Sequence, residues 1–295
     1  MSGGAPAGVG VLQHLSRPEG RITYTTAGSG PLVVLVPGMG DLRSTWRELV
    51  GPLVAAGHRV AVTDLRGQGD SDPTVTHHGD VATGTDLIAL VESLDAGPAV
   101  LVGNSMGASA TAWVAAQAPG LVVDLVLVSP LLREPPKGRL GWAAAHLMYR
   151  VLLARPWGAA VWARYYRSPL SKGARAPWLD EHVAAVRANL REPGRLRAFR
   201  ELALQLTHAP VEDRLAEVHT PSITFIGDLD PDYRDPGAEL DWIAATLGTR
   251  AVAVPGVAHY PQHQAPDVVV PAVLEFLAGL PRASGAPDRW ATPGA

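Results

Sequence analysis

The stretch Val100-Leu101-Val102-Gly103-Asn104-Ser105-Met106-Gly107-Ala108 constrains this chain more than any other. An apolar run from Ala99 to Val102 stops at Gly103, and Ala108, Ala110, Ala112, Trp113 and Ala116 then recur at helical spacing. The pattern reads as a buried strand, a tight bend and a helix, with Ser105 at the bend. Gly103 and Gly107 flank it, and without Cβ atoms they let strand and helix approach closely. A serine held in such a bend projects its hydroxyl above the sheet. The amide of the next residue, Met106, opens the helix where a developing negative charge is stabilised. The chain has 31 glycines in 295 residues, so Gly-x-Ser-x-Gly alone is a weak signal and its context must carry it.

Before the bend, Val11 to Leu15 and Ile22 to Thr26 read as a hairpin around Arg17-Pro18-Glu19-Gly20. Leu32 to Val36 is apolar throughout, as in a strand covered on both faces, and Pro37-Gly38-Met39-Gly40 follows as a loop. A helix is expected from Thr45, a strand over His58 to Val62, and a helix over Thr85 to Leu94. After the bend come a strand over Val122 to Val128, another over Ser222 to Ile226, a helix over Ala238 to Leu247, a strand over Arg250 to Val254 and a helix over Pro266 to Leu277. This alternation predicts a largely parallel sheet with helices on both faces. It is suspended between Leu131 and Pro210, where helical periodicity is broken by Pro156, Pro169, Pro177 and Pro193. That interval holds four of the eight tryptophans, and reads as a helical insertion over the sheet. The expected division is a core over 11–130 and 211–280, a helical cap over 131–210, and flexible tails at 1–10 and 281–295.

Composition narrows the function class. A net charge of −3 without a basic stripe argues against nucleic acid as a partner. The absence of cysteine removes disulfides, thiolate metal sites and cysteine nucleophiles together. No apolar run approaches the ~20 residues of a membrane span, and the N-terminus lacks the order of a signal peptide. The expectation is a cytoplasmic protein with a small-molecule substrate and no membrane partner; the sequence leaves its oligomeric state open.

In an open parallel sheet, ligands bind beyond the C-terminal ends of the strands. Ser105, the Gly38-Met39 loop, the Asp228/Asp230 loop and His259 each follow a predicted strand, so all should converge on one edge. The chain order is serine, aspartate, histidine. With Pro37-Gly38-Met39-Gly40, Asp64-Leu65-Arg66-Gly67-Gln68-Gly69-Asp70-Ser71, the Ser105 bend, Gly227 to Asp230 and Gly256 to His259, the sequence resembles the α/β-hydrolase superfamily from about Thr26 to Leu277. It is most similar to the branch with a serine nucleophile and a helical cap. The resemblance implies the α/β-hydrolase fold, a mostly parallel eight-stranded sheet with helices on both faces and an inserted cap.

It also implies roles: Ser105 as nucleophile, His259 as base and Asp230 as the acid that steadies it, since the family's acid closes Gly-x-x-Asp. A serine hydroxyl needs an imidazole base, and the base needs a carboxylate to hold its tautomer. Asp228 is then assigned to the turn and Asp232 is a weaker third candidate. His263 competes locally with His259 and is expected at the surface or in a supporting role. The oxyanion donors are expected to be the backbone N–H groups of Met39 and Met106. Trp142, His146, Tyr149, Trp162, Tyr165 and Tyr166 are candidates for the substrate pocket, with His146 and His208 the insertion's two histidines of interest. Neither a metal nor an organic cofactor is implied.

Many relatives carry His-Gly where this chain has Pro37-Gly38, and an epoxide hydrolase or dehalogenase normally carries aspartate at the position of Ser105. The expected activity is therefore hydrolysis of a small, largely apolar ester, lactone or thioester through an acyl-enzyme. Carbon–carbon bond hydrolysis and cofactor-free perhydrolysis use the same triad and stay open, as do non-hydrolytic biosynthesis and ligand binding in the same pocket.

Overall fold

The computed structural model describes residues 10–135 and 138–279. Except for Gly10, the tails expected to be flexible lie outside the described residues. Eight strands form one sheet: β1 (Val11–Arg17), β2 (Gly20–Ala27), β3 (Leu32–Val36), β4 (Arg59–Thr63), β5 (Ala99–Asn104), β6 (Val122–Val128), β7 (Ser222–Gly227) and β8 (Arg250–Val254). Their order is β1-β2-β4-β3-β5-β6-β7-β8. The β1/β2 and β2/β4 pairs are antiparallel and all others parallel, so the expected eight-stranded, mostly parallel sheet is found.

The helices are α1 (Arg47–Ala55), α2 (Asp80–Leu94), α3 (Met106–Gln117), α4 (Gly138–Leu152), α5 (Gly158–Arg167), α6 (Leu179–Arg191), α7 (Arg195–Gln205), α8 (Ala209–Glu212), α9 (Pro236–Leu247), α10 (Pro261–Gln264) and α11 (Pro266–Gly279). Alternate residues of a strand face opposite sides of the sheet. Leu32, Val34 and Val36 of β3 accordingly enter the core shared with α2, α3 and α9, whereas Val33 and Leu35 enter the one shared with α1 and α11. All five are fully buried, which is why β3 reads as an unbroken apolar run.

Between β6 and β7 the described residues hold no strand, and α4 to α7 follow one another. They share a third apolar cluster that includes Leu153, Trp162, Tyr166, Leu190 and Phe199, and Tyr260 enters it from the loop after β8. Two elements differ from the sequence expectation. Helix α2 begins at Asp80 rather than Thr85, because its first turn buries Asp80 and Thr83, and Asp80 pairs with His208 at 2.7 Å. The short α10 begins on Pro261, a residue suited to the first position of a helical turn, a signal masked by the mixed polar sequence around it.

Candidate active site

Ser105 joins β5 to α3 with φ 54° and ψ −126°, a conformation that non-glycine residues adopt only when their surroundings enforce it. Here the enforcement is visible. Its N–H donates to the Val128 carbonyl at 2.9 Å, and its carbonyl accepts from Ala108 at 2.9 Å and Ser109 at 3.1 Å. A Cβ at Gly103 would lie 2.5 Å from Ala108 backbone, and one at Gly107 would lie 2.4 Å from the Pro37 carbonyl. Both glycines are thus demanded by close approach. The loop after β3 passes directly over the bend, since a Cβ at Gly38 would stand 3.0 Å from the Ser105 Cβ.

Asp230 follows β7 and His259 follows β8, two paired parallel strands. His259 Nδ1 faces Asp230 Oδ2 at 2.8 Å, with both side chains buried. Asp228 instead accepts the Gly256 N–H at 2.7 Å and closes the turn between the two loops. Asp232 comes third: its Oδ2 lies 3.6 Å from His259 Nδ1, and its N–H donates to Asp230 Oδ1 at 3.0 Å. Burial alone would lower the His259 pKa, but the carboxylates of Asp230 and then Asp232 outweigh it and raise the pKa to about 9. The ligand-type atoms of Asp230, Asp232 and His259 all lie within 4.8 Å of one another. The hydrogen-bond contact of His259 with Asp230 and the nearby Asp232 carboxylate account for that grouping.

The sequence reading missed Asn104. Its side-chain amide donates to Val128 O at 3.2 Å and to His259 O at 3.1 Å, fastening the histidine loop to the bend. The signal was a lone polar residue at the end of an apolar strand. Gln68 was missed too: its Oε1 accepts the Gly40 N–H at 2.6 Å, so the Asp64–Ser71 loop shapes the segment that carries Met39. Met106 opens α3, where its N–H has no intrahelical acceptor.

The six pocket candidates divide. Trp142 and His146 line a cavity of about 400 Å³ with Glu134 and the Leu204–Thr207 segment. Tyr149 is half-buried against the third apolar cluster. Tyr165 is partly exposed and its hydroxyl donates to Asp232 Oδ1 at 3.0 Å, linking α5 to the histidine's neighbourhood. Trp162 donates its indole N–H to the Gly40 carbonyl at 2.8 Å and meets Phe199 edge-on. Tyr166 is a correction: it has no accessible surface, its ring stacks on Tyr260 at 4.4 Å and its hydroxyl bonds Asp41 Oδ2 at 3.0 Å. It packs α5 against the loops.

Of the two places expected for His263, the structure gives the supporting one: it is buried and stacked on Tyr260. Burial, then nearby His182, push its pKa down to about 3, so it is neutral. His208 is occupied by Asp80. His182, which the sequence reading passed over, is fully buried with Nε2 2.6 Å from Asp41 Oδ1 and Nδ1 3.0 Å from Ser44 Oγ. It joins α6 to the loop just beyond Gly40.

Comparison with known proteins agrees with this architecture. The profile of the Alpha/beta hydrolase family matches residues 33–272. An uncharacterised protein of Mycobacterium tuberculosis is 35% identical over 109 residues, but the match spans only 37% of this chain and 32% of that one. The BpoC protein of the same organism is 28% identical over 268 residues, covering 88% of this chain and 98% of its own length. Among solved structures, a thermophilic esterase from Thermogutta terrifontis superimposes with a TM-score of 0.72 at 22% identity, covering 90% of this chain and 97% of that one.

Proposed function

The chain belongs to the alpha/beta hydrolase family, and on that premise we propose that it is a serine hydrolase acting on a small, largely apolar ester, lactone or thioester. The observation that carries this reading is the Ser105 bend, strained to φ 54° and fastened through Asn104 to a histidine that is itself bonded to buried Asp230. A serine at the bend supports acyl chemistry. A cavity of about 400 Å³ lies between α4 and the end of α7, lined by Glu134, Trp142, His146 and the Leu204–Thr207 segment and by none of Ser105, Asp230 and His259, so the apolar, small-substrate part of this reading rests on the expectation from sequence.

In this reaction His259 Nε2 takes the Ser105 hydroxyl proton as Oγ forms a bond to the substrate carbonyl carbon. Asp230 accepts the Nδ1 proton in a hydrogen bond and stabilises the imidazolium. The carbonyl oxygen becomes an oxyanion and accepts from the N–H groups of Met39 and Met106. Collapse breaks the bond to the leaving group, which departs with the proton from His259. Water then gives its proton to His259, attacks the acyl carbon, and the second collapse releases the acid and regenerates Ser105. Every step uses groups of this chain and one water.

The test is intact-mass spectrometry with p-nitrophenyl esters of increasing acyl length, alongside nitrophenolate release, for wild type and Ser105→Ala. Wild type is expected to form an acyl adduct and turn over. Ser105→Ala should lose the adduct and about 10⁴-fold or more in kcat, with an unchanged melting curve. Neither turnover nor an adduct in the wild type would reject the reading.

A further inference from the structure

Helix α4 breaks the rule that a surface helix shows polar residues to water. At 100° per residue, Leu140, Ala143, Ala144, Leu147, Met148, Val151 and Leu152 fill about half its circumference. All seven are exposed; Leu140 is 88%, Leu147 63% and Val151 51% accessible. The opposite side, with Ala145 and Tyr149, faces the protein. Trp157, 48% accessible, prolongs the apolar surface by donating its indole N–H to the Val151 carbonyl at 2.8 Å. Arg139 and Arg150 border the apolar arc on one flank.

Charge says what covers this face. Between Glu134 and Asp180 the sequence has eight basic residues and no acidic one, nearly a third of the 25 basic residues of a chain whose net charge is −3. Arg167 pairs with Asp180, whereas Arg139, Arg150, Arg155 and Arg164 are exposed without an ion-pair partner among the described residues. A second copy crossing this face antiparallel about a twofold axis would set the Arg139/Arg150 flank against its own copy. An anionic surface would be attracted to them, and an apolar arc, a flanking tryptophan and bordering arginines are what the boundary of a lipid bilayer accommodates.

We propose that the α4 face docks the protein on an anionic phospholipid surface, lying in the interface without crossing it. The expectation of no membrane partner rested on the lack of a spanning run, and no helix among the described residues is long and apolar enough to cross. A helix lying in the interface needs no such run. The inner side of α4 carries Trp142 and His146 on the cavity described above. Docking would therefore bring that cavity close to molecules dissolved in lipid.

The experiment is co-sedimentation of the full chain with vesicles of equimolar phosphatidylcholine and phosphatidylglycerol, against phosphatidylcholine alone. The chain is expected to pellet with the mixed vesicles, to bind neutral ones at least tenfold more weakly, and to be released by salt. Leu147→Glu/Val151→Glu should weaken binding about 100-fold, and Arg139→Glu/Arg150→Glu at least about fivefold. Hydrolysis of a water-soluble ester by both variants is expected to match wild type, and Ser105→Ala should bind vesicles normally, which separates docking from the proposed chemistry. Absence of binding to the mixed vesicles overturns the proposal, as does undiminished binding by Leu147→Glu/Val151→Glu. A dimer in sedimentation velocity that the same double variant converts to monomer would overturn it in favour of a second copy of the chain.

Discussion

At His259 two carboxylates meet one imidazole, and this governs how the site responds to pH. Asp230 makes the 2.8 Å contact, while Asp232, at 3.6 Å, adds charge from a partly exposed position shared with Tyr165. Only neutral imidazole can take the serine proton. With the His259 pKa raised to about 9, kcat/KM in the free enzyme is expected to climb through neutral pH toward a midpoint well above the ordinary histidine value. Asp232→Asn removes one raising charge, so its rising limb should shift to lower pH and its rate at pH 7 should increase. Superimposable profiles for the two proteins would show that Asp232 does not act on His259. The same shift has a stability sign: a raised histidine pKa contributes stability that is complete below the unfolded value near 6.5 and is lost as pH rises through about 9.

At the level of elements, the site is a set of strand ends held together by side chains that do no chemistry. Asn104 reaches from the end of β5 to the loop after β8, and Gln68 reaches from the loop after β4 to Gly40. Removing the amide in Asn104→Ala leaves the buried His259 carbonyl without its donor, while the Val128 carbonyl keeps the Ser105 N–H, a cost of about 1–3 kcal/mol. The expected result is a lower melting temperature together with a kcat about tenfold down on p-nitrophenyl esters and KM little changed, because the histidine loop is no longer fixed. A lower melting temperature with normal kcat would confine Asn104 to a structural part. The strands and their succession along the chain were readable because a parallel strand covered on both faces must be apolar throughout, as Leu32 to Val36 is, whereas their order in the sheet was not. The start of α2 was not, because its first turn is held by the distant His208 and no local pattern announces that.

For the whole molecule, the helices between β6 and β7 are joined to the sheet's loops by a buried polar seam. Asp41 and His182 form its centre, Tyr166 and Ser44 complete their hydrogen bonds, and the indole of Trp162 bonds Gly40 beside them. His182→Ala strands the Asp41 carboxylate in a site with no access to water, which is expected to cost about 3–5 kcal/mol and lower the melting temperature markedly. Asp41→Asn/His182→Phe removes the stranded charge and fills the space, so most of the lost stability should return. Equal melting temperatures for the single and double variants would show that the pairing contributes little. Sequence reading foresaw the helical interval and its aromatic residues but took Tyr166 for a pocket residue, since apolar periodicity says that a ring is covered and not by what.

Local pattern alone determined the order of strands and helices, the glycine-flanked serine bend and the sheet edge at which the candidate residues gather. These follow from short-range rules: side chains alternate along a strand, glycine is required where backbones touch, and loops leave a parallel sheet at its strand ends. Tertiary structure decided that Asp232 stands as a second carboxylate beside His259, that Asn104 fastens the histidine loop, that His182 serves Asp41, and which face of α4 is left open to solvent. Each of these is a meeting of groups far apart in the chain, set by how whole elements pack, and no local spacing encodes such a meeting.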